Sequence, residues 1–129
     1  MRFGYTILYV PDVAAAVTFY EKAFSLQRRF LHESGMYAEM ETGATALAFA
    51  HEQMAEMHGI AIRAHRSGDT PAGVEICFVT DAPEQAYTHA VAQGAVPLKA
   101  PEAKPWGQIV GYVQDLNGCL VEICSPVSP

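Results

Sequence analysis

Apolar residues run almost without interruption through FGYTILYVP (3–11), many of them β-branched or aromatic, and stop at a Pro-Asp pair; this predicts a strand and its end. Immediately afterwards the period changes. In DVAAAVTFYEKAF (12–24), Val13, Ala16, Val17, Tyr20 and Phe24 recur three and four apart, which is one face of a helix. Asp12 stands where a side-chain oxygen can accept from the unpaired N–H groups of the first turn. Three strand-like stretches follow in SLQRRFLHE, GMYAEMET and, after Gly43, ATALAFAHE. Residues 52–73 mix charge, Gly and Pro with no sustained period; they read as a long connection with one short helical turn, and as a flap.

The same succession then begins again. VEICFVT predicts a strand and DAPEQAYTHAVAQGA a helix stopping at Gly94. AVPLKAP leads into a polar loop, EAKPWG, and QIVGYVQD, a turn at Leu116-Asn117-Gly118, and CLVEICSP form a hairpin. Shifted by 70, YTILYVPDV falls on EICFVTDAP and AAAVTFY on EQAYTHA; shifted by 75, YAEMETG falls on YVQDLNG. The extra five residues fall in the 96–108 region, where an insertion costs little. The chain is therefore a duplicated βαβββ unit, with modules at about 1–52 and 73–126 joined by a loop at 53–72.

Composition narrows the partners. Half of the 129 residues are hydrophobic and 17% are charged, which suits one compact globular domain. A net charge of −6 with eight scattered Lys and Arg argues against nucleic acid and anionic membranes, and suits a cationic ligand. Three cysteines without CxxC spacing, no signal peptide and no long apolar run point to a reduced, cytoplasmic setting, with the cysteines as small buried hydrophobes. His32, His58, His65 and His89 form no metal spacing. There is no Gly-rich phosphate loop and no nucleophile elbow.

Two segments break the apolar pattern in the same way. Val-Glu-Ile-Cys occurs at 74–77 and again at 121–124, each time placing a glutamate inside a strand. YVPDVAAAVTFYEKAF, VEICFVTDAPEQAYTHAVAQGA and above all KPWGQIVGYVQDLNGCLVEICSP resemble the vicinal oxygen chelate superfamily, the glyoxalase, bleomycin-resistance and ring-cleaving dioxygenase group. The resemblance implies an α+β fold in which two βαβββ modules curve their mixed sheet into a cup, with helices outside and the ligand within. It also implies one metal ligand from the first and one from the last strand of each module, usually His or Gln with Glu.

Carried over by position, those places are Tyr5 and Glu75, and Leu47 and Glu122, the last two each four residues after a glycine. The twin tetrapeptides are thus not copies of each other: duplication pairs Glu75 with Tyr5 and Glu122 with Leu47. Thr45, Leu47, Phe49 and His51 share strand parity, so His51 is a substitute ligand if an ion such as Zn, Ni, Mn or Fe binds with Glu75 and Glu122. With Leu47 unable to ligate, the expectation is no cofactor. Tyr5, Leu47, Phe49, Trp106, Gln108 and Tyr112 are expected to line the pocket, with Tyr9 beside them and Glu75 and Glu122 as the acid–base pair.

Two functional classes follow. One is a metal-independent binder of a small molecule, of bleomycin-resistance type. The other is a divalent-metal-dependent lyase or isomerase of glyoxalase type using Glu75 and Glu122. A dioxygenase needs a His-His-Glu set of which only Glu122 is present. The resemblance further implies a homodimer.

Overall fold

A computed structural model describes residues 1–127, in two compact units, one spanning Met1–Ala64 and the other starting at His65. The first contains β1 (Tyr5–Val10), α1 (Val13–Phe24), β2 (Arg28–Leu31), β3 (Tyr37–Met40), β4 (Ala46–His51) and a short α2 (Gln53–Met57). The second contains β5 (Glu75–Val79), α3 (Pro83–Ala92), β6 (Val96–Ala103), β7 (Ile109–Gln114) and β8 (Leu120–Cys124). Strand order is β1-β4-β3-β2 in one sheet and β5-β8-β7-β6 in the other. In both, the first strand runs parallel to the last and the other pairs are antiparallel. Fold class and duplication agree with the sequence expectation.

The first unit is built on α1. Asp12 accepts the Ala15 N–H at 3.0 Å, and Ser25 closes the helix in the left-handed region at φ 57°. Val13, Ala16, Val17, Tyr20 and Ala23 are buried along one face. Tyr20 lies with its ring centroid 5.0 Å from that of Phe49 on β4, which fixes the side of the sheet that the helix covers. Leu8 and Val10 of β1 pair with Phe49 and His51 and belong to the same covered side.

In the second unit, α3 starts on Pro83 and is followed by Gly94 at φ 106°. β6 runs on to Ala103, past the loop start expected from its Pro, Lys and Glu content; Glu102 and Ala103 pair with Val110 and Ile109. It is an edge strand with two register shifts, where prolines are tolerated. A Cβ on Gly111 would come within 2.9 Å of the Pro101 ring, so the glycine lets β6 lie close on β7. The connection splits between the units. Its later part is tied to the β7–β8 turn, because Gln114 Nε2 donates to the Asp69 and Gly118 carbonyls at 3.1 Å each.

Candidate functional site

Exposure along β5 alternates. Glu75, Cys77 and Val79 are open to solvent, while Ile76 and Phe78 are half-buried on the other side, the side left to α3. Parallel pairing sets Glu75 against Leu120, Cys77 against Glu122 and Val79 against Cys124. On its other flank, Glu122 faces Tyr112 of β7. Val121 and Ile123 point the opposite way and are buried. A central strand with Glu122 and Cys124 on its open face is thus bordered by Glu75 and Cys77 on one strand and Tyr112 on the next.

These groups touch. Cys77 Sγ donates to Glu122 Oε2 at 3.2 Å and lies 3.6 Å from Cys124 Sγ. Although Glu75 is exposed, the partial loss of hydration of its carboxyl against the sheet pushes it up to about 7, helped by a hydrogen bond to Glu122 and by its charge. Burial also acts to raise Glu122, but hydrogen bonds from Glu75, Cys77, Cys124 and Tyr112 outweigh it and hold Glu122 below the ordinary carboxylate range. The two carboxyls therefore titrate as one pair: below about pH 7 Glu75 carries the proton and Glu122 is the anion. Burial, then the Glu122 charge, pushes the Tyr112 hydroxyl up to about 12. Burial and the same carboxylate raise Cys77 and Cys124.

The 104–108 loop reaches this cluster through Gln108. Its Nε2 donates to the Ser125 carbonyl at 3.0 Å and lies 3.7 Å from Cys124 Sγ; its Oε1 accepts the Trp106 indole N–H at 2.6 Å. Trp106 itself is 58% exposed. From the indole to Glu122 there is an unbroken chain of contacts.

The first unit distributes its residues differently, and three parity expectations need correction. Phe49 is fully buried against Tyr20 under α1, so it is core and not pocket lining. Leu47 and His51 share its side of the strand, the covered one, and the His51 ring accepts the Gln53 N–H on Nδ1 at 3.1 Å, which occupies one of its two ring nitrogens. Across the pairing, Ala48 meets Ile7 and Glu39 as Glu122 meets Cys77 and Tyr112. The cause lies in the turns. Thr42 Oγ1 accepts the N–H of Leu47, five residues on, whereas Asp115 Oδ1 accepts that of Cys119, four residues on. Counted between paired residues, the turn from Glu39 to Ala48 is one residue shorter than that from Tyr112 to Glu122, while the step from the turn glycine is one longer. Counting from the glycine therefore lands on the neighbouring residue and the opposite face.

Tyr5 and Tyr9 do lie on the open side, paired with Ala46 and Ala50. Beside them, Glu39 is 8% exposed, accepts the Tyr37 hydroxyl at 2.8 Å and pairs with Arg29 at 3.2 Å. Arg29 also holds Glu41 at 2.8 Å.

Sequence reasoning missed Glu39 with Arg29, and the thiols. Cys77 is exposed, not a buried hydrophobe, whereas Cys119 and Cys124 are buried. The signal for the thiols was present: each cysteine of the twin tetrapeptides stands two residues after its glutamate and therefore on the same strand face.

Two βαβββ units with a carboxylate on an inner strand define the class. The Glyoxalase/Bleomycin resistance protein/Dioxygenase superfamily matches residues 2–123, and the chain belongs to that superfamily. Its fold is similar to that of a glyoxalase-related enzyme from Fulvimarina pelagi, with TM-score 0.83, 22% identity and coverage of 98% of this chain and 88% of the other. A glyoxalase/bleomycin resistance protein/dioxygenase family enzyme from Burkholderia phytofirmans PsJN gives 0.82 at 21% identity, covering 99% and 100%. TioX from Micromonospora sp. ML1 gives 0.72 at 17%, covering 97% and 98%. No curated protein matches the chain. No helix among the described residues is long and apolar enough to cross a membrane.

The metal set implied by the family does not fit the residues present. Its places in the first unit hold Tyr5 and, by pairing, Ala48, so neither an imidazole nor a carboxylate comes from that unit. Among the described residues, the three donors that converge within 4.8 Å are Cys77, Glu122 and Cys124, all in the second unit.

Proposed function

We propose that the protein binds a small molecule without a metal ion, anchoring a basic or hydrogen-bond-donating group of the ligand on the Glu75–Glu122 pair. The observation that carries this is the shared proton: one carboxylate of the pair stays anionic on an open sheet face, with Tyr112 beside it. Such a pair offers a charge, an acceptor and a donor within one reach, and the acidic chain favours approach of a cation. Trp106, linked to the cluster through Gln108, supplies an aromatic face for stacking.

Titrating the purified protein with cationic aromatic amines while following Trp106 fluorescence tests this. Quenching that saturates, and an affinity at least about tenfold (1.4 kcal/mol) lower in Glu122→Gln, is expected. Equal affinity in Glu122→Gln and the parent protein would overturn it.

A second reading is favoured by one feature: Glu75 holds its proton up to about 7, where a general acid–base group works best. In that reading the protein is a lyase or isomerase of glyoxalase type, with Glu122 taking a proton next to a carbonyl and Glu75 returning one. Turnover of a glutathione hemithioacetal that appears only on adding Zn²⁺, Ni²⁺ or Mn²⁺ would replace the first reading by this one.

A further inference from the structure

Two thiols and a carboxylate meet on the open face of the second sheet, and neither proposed reading uses the sulfurs. Cys77 and Cys124 stand on neighbouring parallel strands, with their Sγ atoms 3.6 Å apart; Glu122 Oε2 is 3.2 Å from Cys77 Sγ. A tetrahedral zinc ion with Zn–S near 2.3 Å and Zn–O near 2.1 Å would separate two sulfur ligands by about 3.8 Å, and a sulfur from an oxygen by about 3.6 Å. Both spacings are met to within about 0.4 Å before any side chain moves.

We propose that Cys77, Cys124 and Glu122 form a binding site for a soft divalent cation of the zinc and cadmium class, confined to the second unit. Sulfur donors select such ions over magnesium, calcium and manganese, which prefer all-oxygen shells. The site differs in kind from the family's arrangement, which draws nitrogen and oxygen ligands from both modules. Binding exchanges protons for the ion. The Cys77 and Cys124 S–H bonds break, two S–metal bonds form, two protons go to solvent, and Glu122 contributes its anionic oxygen, with no change of oxidation state.

The backbone supports the donors. Cys77 and Glu122 are register partners, and Cys124 is two residues further along the same strand, so three ladder-held positions present the ligands. Cys77 is exposed and leaves a route of entry, whereas Cys124 is buried at the base. Three protein ligands leave a fourth position of the tetrahedron open, to water or to the neighbouring Glu75 carboxyl.

The test loads the reduced, metal-stripped full chain with Co²⁺ and separately with Cd²⁺. One ion per chain is expected, with intense visible bands of tetrahedral cobalt and a thiolate-to-metal charge-transfer band in the ultraviolet. Cys77→Ser should lower the charge-transfer band to about half, the Cys124 thiolate alone remaining, and weaken binding at least about tenfold, as should Glu122→Gln. Cys119→Ala, which changes a buried cysteine outside the cluster, should leave both intact, and its circular dichroism guards against misfolding. Weak octahedral cobalt bands, or an unchanged charge-transfer band in Cys77→Ser, would overturn the site. The ion and a basic ligand would both draw on Glu122, so the amine titration is run on the metal-stripped chain; the cobalt readout uses no organic ligand, and its failure leaves the amine-binding proposal standing.

Discussion

The open faces of the two sheets solve the same problem in opposite ways. Each carries carboxylates, Glu39 on β3 in the first and Glu75 and Glu122 on β5 and β8 in the second. In the first unit Glu39 is neutralised by Arg29 and capped by the Tyr37 hydroxyl, with Glu41 completing a charged network. In the second, Glu122 has acidic neighbours instead, and the pair with Glu75 is kept tolerable by a retained proton. The duplicated backbone places side chains but does not prescribe their chemistry. A paired carboxylate is a finished structural element, whereas one sharing a proton has an interaction left to offer.

The contrast between covered and open sides is broken most strongly at Phe49. Phe49→Ala should cost about 3–5 kcal/mol, because a fully buried ring against Tyr20 is lost and the cavity closes poorly. Urea denaturation measures it. A loss below about 1 kcal/mol would return Phe49 to the open face.

A middle-sized effect is expected from Arg29→Met. It strands Glu39 and should destabilise the fold by clearly less than Phe49→Ala does, the exposure of the arginine keeping it below a fully buried pair. Adding Glu39→Gln should recover a good part of that loss, since the stranded charge is gone. Strict additivity in the double-mutant cycle would mean that Glu39 is not neutralised by Arg29.

The smallest effect separates the two solutions by pH. The folded Glu75 carboxyl titrates near 7, above its ordinary 4.5. Its contribution to stability is thus complete below about 4.5 and disappears as pH rises through about 7. Glu122, held low, contributes above the ordinary carboxylate value and loses its contribution only in more acid solution, outside that window. The parent protein should lose about 1 kcal/mol between pH 5 and pH 8, solvent screening discounted, while Glu75→Gln stays nearly flat. Parallel curves for the two proteins in urea would show that the proton is not shared.

The order of elements was legible in the sequence because periodicity carries it. Asp12 and the Val13–Tyr20 face are local signals, and the repeated helix positions followed from the same signals. Strand faces were legible in the second unit, where Glu75, Cys77, Glu122 and Cys124 all follow the parity of the twin tetrapeptides. They were not legible in β4, where Ala46–Ala50 is apolar on both sides and alternation gives no contrast. The distance from Gly43 then chose the wrong face, because the number of residues in the turn is set by Thr42 and Thr45 side-chain and backbone contacts that leave no periodic trace. The Arg29–Glu39 pair is likewise a tertiary fact: ten residues separate its members.

That unequal turn length also bears on how such sites are gained and lost in evolution. A ligand position in a strand is usually imagined to disappear by substitution, one residue at a time. Here the two halves differ by one residue in the turn, the first being shorter, while the ladder and a glycine-bearing turn survive and Ala48 comes to stand at the place of Glu122. A duplicated module can therefore change which residue of a strand occupies a site position by a single insertion or deletion in the turn before it.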